Sequence, residues 1–210
     1  MMNRPSCIVV ATKNPGKLRE IRRVLADLPV RIAGLEEFGP VEEPEEHGET
    51  FAQNARDKAL YYARATGQWC LADDSGLEVD SLGGQPGVHS ARYAAAAVPP
   101  LSPRDVIDAA NNAQLLERLS GVKDQDRTAR FVCHLALADG ERVMVETFDT
   151  FEGRILHAPR GRNGFGYDPL FFVPEKGCTS AELPEDEKNL ISHRGKALRH
   201  FASLLKAILP

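Results

Sequence analysis

Asp73-Asp74-Ser75-Gly76 places two adjacent carboxylates, a hydroxyl and a glycine at the end of an apolar segment that begins at Trp69. Carboxylate oxygens are what Mg²⁺ prefers, and the ion keeps waters of which one can be a nucleophile. In an extended chain neighbouring side chains point to opposite sides, so Asp73 and Asp74 are expected to take different roles. The competing reading is an Asx-turn. A second group is Thr12-Lys13-Asn14-Pro15-Gly16-Lys17, set between an apolar run and a helical pattern. Free N–H groups and the positive dipole end at a helix N-terminus suit phosphate oxygens, with Lys17 adding charge. The string is not a Walker A loop, and the plain alternative is a Pro-Gly turn with a solvated lysine.

Three further segments carry reactive types. Glu45-Glu46-His47-Gly48-Glu49 is acidic, so one glutamate could complete a Mg²⁺ site, or the run is a solvated loop. Gly164-Phe165-Gly166-Tyr167-Asp168-Pro169 sets two aromatics between glycines. They could offer a flat face to a base, with Asp168 accepting from a purine N–H, or the segment is a tight loop with core aromatics. Lys188 and Ser192-His193-Arg194-Gly195-Lys196 cluster donors before a helix, suited to a carbonyl oxygen or phosphate; a capped helix with a solvated basic face is the alternative. His89, His134 and His157 stand singly, which suits structural roles.

These segments must be held by something. Cys7 to Ala11 reads as a buried strand, and Leu18, Ile21, Leu25 and Leu28 fall on one face of a helix spanning 17–28. Val30 to Ala33 reads as a second strand. A helix capped near Thr50 and ended by Gly67 follows the acidic loop, with Phe51, Ala55, Ala59, Tyr62 and Ala63 inward. Trp69 to Ala72 reads as a strand, 104–119 as a helix, and Phe131 to Ala138 with Arg142 to Phe151 as a hairpin around Asp139-Gly140. The last helix is expected from near Ser192. Strands alternating with helices predict an α/β fold, and 210 residues without a separating linker predict one domain over 1–210.

The chain is 42% hydrophobic and 27% charged, as globular proteins are. No stretch reaches the ~20 apolar residues that span a membrane, and the start of the chain has no signal-peptide core. Cys7, Cys70, Cys133 and Cys178 lie far apart, which predicts reduced thiols and a cytoplasmic location. A net charge of −4 argues against nucleic-acid binding.

Together, and in this order, the strings ATKNPGKLREI, GETFAQNARDKA, LADDSGLEVDSLGGQPGVHSARYA, GFGYDPLFFVP and AELPEDEKNLISHRGKAL resemble the inosine triphosphate pyrophosphatase family. The resemblance spans about Ile8 to Leu204. It implies a long bent mixed sheet flanked by helices, two lobes around a nucleotide cleft, and a homodimer. The implied reaction is Mg²⁺-dependent hydrolysis of non-canonical purine triphosphates (dITP, ITP, XTP) to the monophosphate and pyrophosphate. Matched residue by residue, Thr12 to Lys17 and Ser75 contact the triphosphate, and Lys58 is a basic phosphate contact. Asp74 is the general base and a metal carboxylate, and Glu45 is the other metal carboxylate, with Glu46 its close competitor. Phe165, Gly166, Tyr167, Asp168, Lys188, His193 and Arg194 form the base pocket. Donors from Lys188, His193 and Arg194 suit a 6-oxo purine and oppose the 6-amino group of adenine. Guanine shares the 6-oxo group, so these contacts do not reject GTP. Lys13 stands where many relatives carry glycine. Residues 94–104 are more apolar and proline-rich than the family loop. The rival readings are a Maf-like pyrophosphatase, against which GFGYDP and SHRG argue, and a non-catalytic nucleotide-binding regulator, against which the retained Asp74 and acidic loop argue.

Overall fold

The computed structural model describes residues 7–209. The strands are β1 (Cys7–Val10), β2 (Arg31–Gly34), β3 (Trp69–Val79), β4 (Thr128–Ala138), β5 (Val143–Ile155), β6 (Phe171–Val173) and β7 (Cys178–Thr179). The helices are α1 (Pro15–Val24), α2 (Phe51–Thr66), α3 (Arg104–Arg118), α4 (Glu185–Ile191) and α5 (His193–Ile208), joined by short 3₁₀ turns. The strands form one sheet in the order β2-β1-β3-β4-β5-β6-β7. It is mixed: β1 runs parallel to β2 and β3, whereas β6 is antiparallel to β5 and β7. The α/β expectation holds.

The chain divides into two compact units. The first holds residues up to Asp74, Cys133–Asp149 and the segment from His193 onward. Its core follows from the pleat of β1, whose side chains alternate between faces. Ile8 and Val10 pack with Ile21 and Leu25 near α1 and with Leu198, Phe201 and Leu205 of α5. Cys7 and Val9 pack on the other face with Ala55, Ala59, Tyr62 and Ala63 of α2. Small residues on α2 let the helix approach the sheet closely. Thr50 caps α2 by accepting from Gln53 N, and Gly67 ends it at φ +65°, a conformation that favours glycine.

The second unit holds Ser75–Val132 and Thr150–Ser192. Its core joins Leu77, Val79, Phe131, Phe151, Ile155 and Phe171 with Leu115 and Leu119 around α3. Arg127 is buried here and donates to the carbonyls of Leu119, Ile155 and Leu156, tying the end of α3 to the end of β5.

Several boundaries differ from the sequence reading. α1 spans Pro15–Val24, not 17–28, with proline in its first turn where a missing N–H does no harm. Asp73-Asp74-Ser75-Gly76 lies inside one continuous strand, β3, and not at a strand end. The short helix α4 and strand β7 carry too few residues to show a periodic pattern. Among the described residues no helix is long and apolar enough to cross a membrane, and all four cysteines are thiols.

Candidate active site

Because β3 runs through the Asp pair, its pleat sends the two carboxylates to different partners. Asp73 is buried and accepts from Lys17 Nζ at 2.7 Å and from Arg194 Nε at 2.6 Å. The Cys133 thiol donates to it at 3.6 Å, and Arg194 also donates to Glu20 Oε2 at 2.5 Å. Burial alone would raise the Asp73 pKa, but Arg194 and Lys17 outweigh it and hold the carboxyl well below its usual range. Burial likewise works against the Arg194 charge, and Asp73 and Glu20 more than restore it. Glu20, Lys17, Asp73 and Arg194 thus form a buried cluster of two carboxylates and two cations.

Asp74 belongs to a second group. Lys58 Nζ donates to Asp74 Oδ1 at 2.8 Å and to Glu46 Oε1 at 2.8 Å. Desolvation lowers the Lys58 pKa, yet Asp74 and Glu46 prevail and keep it above the ordinary lysine value. Asn54 donates to Asp74 Oδ2 at 3.2 Å, while its own Oδ1 accepts from Gly48 N at 2.9 Å. Asn54 and Lys58 sit four residues apart on α2 and therefore share a face. Asn54 joins the acidic loop to Asp74, a role the sequence reading missed; its i,i+4 spacing from Lys58 was the available signal. Gly48 is required here, because an added Cβ would lie 2.3 Å from Asn54 Oδ1.

In the acidic loop the two adjacent glutamates take different partners. Glu45 is largely solvent-exposed and lies 3.0 Å from His47 Nε2. Glu46 is the glutamate that shares Lys58 with Asp74. The reason is local: adjacent loop residues face different ways, and it is Glu46 that lies towards α2.

The phosphate-turn expectation also changes in detail. Asn14 caps α1, accepting from Gly16 N at 2.9 Å and Lys17 N at 3.3 Å, while Thr12 Oγ1 accepts from Asn14 N at 3.1 Å. Those N–H groups are engaged within the turn rather than free. Lys13 is exposed and pairs with Glu43 at 3.3 Å. Pro15 and Gly16 form the first turn of α1, and Ser75 follows Asp74 on β3.

In the second unit Asp168 organises the aromatic loop. Its Oδ2 accepts from Phe165 N at 2.8 Å and Lys188 Nζ at 2.5 Å, and its Oδ1 accepts from Ser180 Oγ at 2.9 Å. Lys188 Nζ stands 5.3 Å from the Phe165 ring centroid. The Gly166 peptide is held by α3, with its N–H donating to Asp108 Oδ2 and its carbonyl accepting from Asn112 Nδ2. Gly164, at φ +76°, has no room for a Cβ, which would fall 2.0 Å from Asp168 Oδ2. One expectation is corrected here. Tyr167 is not an exposed face: its ring is buried and its hydroxyl donates to Ser90 O at 2.9 Å. Both Asp168 oxygens already accept, from the Phe165 N–H, Lys188 and Ser180. His193 and Arg194 open α5 and are buried; two donor positions of Arg194 are committed to Asp73 and Glu20.

Chemically, the first unit offers a carboxylate, Asp74, flanked by a lysine, an amide and a second carboxylate. The second offers an aromatic ring beside a buried ammonium. Among the described residues no three metal-type side chains gather as a cluster. A Mg²⁺ ion bound through one or two carboxylates needs no such cluster, since waters and substrate oxygens fill its other positions. Glu46 and Asp74 already converge on one cation, the Lys58 ammonium, so this donor set fits a hard divalent ion.

The Ham1 family model matches residues 8–204 of the chain. A protein of Syntrophobacter fumaroxidans named dITP/XTP pyrophosphatase is 52% identical, over 95% of this chain and 83% of its own length. A Geobacter sulfurreducens protein of the same name is 51% identical, over 91% of this chain and 92% of its own. Among solved structures, a HAM1 protein from Coxiella burnetii superposes with a TM-score of 0.83 at 41% identity, covering 95% of this chain and 98% of that one. The Staphylococcus aureus Ham1 protein gives 0.81 at 37% identity, with coverages of 95% and 98%.

Proposed function

We propose that this chain, which belongs to the Ham1 family, hydrolyses the non-canonical purine nucleoside triphosphates dITP, ITP and XTP to the monophosphate and pyrophosphate. The observation that carries the reading is the extent of the match. About half the residues are identical to two proteins named dITP/XTP pyrophosphatase, over nine-tenths or more of this chain. The arrangement around Asp74 supports it.

In this reading Asp74 takes the proton from the attacking water. Asn54 and Lys58 fix both of its oxygens, which orients the carboxylate. Lys58 and Lys17, with the positive end of α1, offset charge on the triphosphate and on the departing pyrophosphate. Thr12, Asn14 and Ser75 supply short polar side chains to the same phosphates. Glu46 and Asp74 would hold Mg²⁺, which when bound neutralises phosphate charge and lowers the pKa of a coordinated water. The base stacks on Phe165 and its 6-oxo group accepts from Lys188. Asp168 positions Lys188 and the loop rather than reading the base. Arg194 keeps Asp73 ionised, and Asp73 in turn aims Lys17. The whole chain acts as one catalytic domain in the cytoplasm, as a homodimer; the reduced thiols agree with the location, and light scattering in solution tests the assembly.

The test is product analysis. Incubated with dITP and Mg²⁺, the protein should release pyrophosphate and dIMP in equal amounts. Stepwise orthophosphate release with accumulation of dIDP refutes the reading.

A further inference from the structure

The Gly166 peptide is gripped at both ends by one face of α3. Its N–H donates to Asp108 Oδ2 at 2.8 Å, and its carbonyl accepts from Asn112 Nδ2 at 2.9 Å. Asp108 and Asn112 are four residues apart, so the helix presents them as a fork one turn deep. Gly166 sits at φ +64°, where a glycine turns the chain readily but does not by itself fix the peptide. The preceding residue, Phe165, is tied independently: its N–H donates to Asp168 Oδ2 and its carbonyl accepts from Asp168 N at 3.3 Å. The N–H and C=O of Phe165 are therefore anchored to Asp168, and those of Gly166 to α3.

The fork is asymmetric, and its chemistry makes the two ends separable. Arg104 Nε, one turn earlier, lies 2.9 Å from Asp108 Oδ1 as an ion pair outside hydrogen-bond alignment. The Asn112 amide is committed by its surroundings. Its Nδ2 faces a carbonyl, and its Oδ1 is buried with no hydrogen-bond donor among the described residues. Turning the amide over would set oxygen against oxygen at Gly166. Carrying a buried, unsatisfied acceptor is unfavourable, so what Nδ2 does for Gly166 must outweigh it.

We propose that Asp108 and Asn112 are positioning residues that set the base-facing ring of Phe165, and so determine how well the site discriminates between purine bases. The proposal rests on the reading that Phe165 stacks on the base. A fork built from a helix is stiffer than a glycine-bracketed loop, so it transmits the fixed frame of α3 to a ring on an otherwise pliable turn. Loss of the fork frees the ring to tilt relative to Lys188, whose ammonium stays on Asp168. Stacking and the 6-oxo contact then cease to act on the same pose. The triphosphate contacts are untouched, so the effect falls on KM and base choice more than on kcat.

The experiment compares kcat and KM for ITP and ATP in wild type, Phe165→Ala, Asn112→Asp, Asn112→Ala and Asp108→Asn, each checked for a cooperative melt. Asn112→Asp puts a carboxylate against the Gly166 carbonyl and should narrow the ITP-to-ATP ratio of kcat/KM about 10-fold, mostly through KM for ITP. Asn112→Ala should narrow it about 3-fold, within the range one hydrogen bond commands. Asp108→Asn can still offer Oδ1 to Gly166 N and should change it least. Should Asn112→Asp fail to fold, the Asn112→Ala result decides. An unchanged ratio in the folded Asn112 variants, alongside a collapsed ratio in Phe165→Ala, overturns the proposal and leaves the stacking reading standing. An unchanged ratio in Phe165→Ala overturns the stacking reading and the proposal with it. Equal losses for both nucleotides in the Asn112 variants assign the fork to stability alone and also overturn it.

Discussion

Asp73→Asn tests the buried charge cluster. The substitution keeps the shape of the side chain but removes the charge that faces Lys17 and Arg194. The amide can still accept through its oxygen, so one of the two cations keeps a partner, and Arg194 retains Glu20. The other cation faces an NH₂ group. Removing one member of a buried ion pair destabilises by about 3–5 kcal/mol, and the retained contacts place this change near the lower end, about 3 kcal/mol. For a chain of 210 residues each kcal/mol shifts Tm by about 2–4 °C, so a fall of about 6–12 °C is expected by circular dichroism. The pH dependence follows from the lowered carboxyl pKa. A group whose folded pKa is depressed contributes its full stability above the unfolded value, about 3.9, and loses it as pH falls through the folded value. The gap between wild type and variant should therefore stay constant from pH 8 to pH 5 and close only in strong acid. The variant should also show a raised KM for dITP, since the ionised oxygen that aims Lys17 is gone. A Tm within about 2 °C of wild type, or a gap that already shrinks between pH 7 and pH 5, refutes the argument that Asp73 is an ionised anchor.

Two further outcomes bear on the reaction itself. Asp74→Asn keeps the contact from Lys58 but removes basicity, so kcat for dITP should fall by about 10²–10⁴-fold in a protein that still melts cooperatively; near-normal turnover would move the proton acceptor elsewhere. Glu46→Gln should raise the Mg²⁺ concentration needed for half-maximal rate several-fold, whereas Glu45→Gln should not. The reverse pattern in a Mg²⁺ titration would restore Glu45 as the ligand.

What was legible in the sequence was local. The alternation of β1, the Thr50 cap and Gly67 stop of α2, and the opposed directions of Asp73 and Asp74 all depend on residues a few positions apart. What was not legible depends on contacts closed by the fold. Glu20 meets Arg194 across 174 positions, Asp108 meets Gly166 across 58, and nothing in either segment names its partner. Tyr167 failed for another reason. Gly164 and Gly166 both take positive φ, which breaks the alternation that would separate an inward from an outward aromatic. Glu45 and Glu46 lie in a loop without periodicity, so only the position of Lys58 distinguishes them.

The division of labour between Asp73 and Asp74 follows from placing them inside a strand. At a strand end both carboxylates could turn towards one ligand, and two close negative charges would compete for the same cation. Inside β3 the pleat forbids that. Asp73 meets cations from α1 and α5, and Asp74 meets a cation and an amide from α2. The first carboxylate can then be wholly neutralised and buried without diminishing the basicity of the second. A single residue deleted before Asp73 would shift Asp74 into the present position of Asp73, placing the reactive carboxylate against Arg194. The spacing of the pair within β3 therefore matters as much as the identity of either residue.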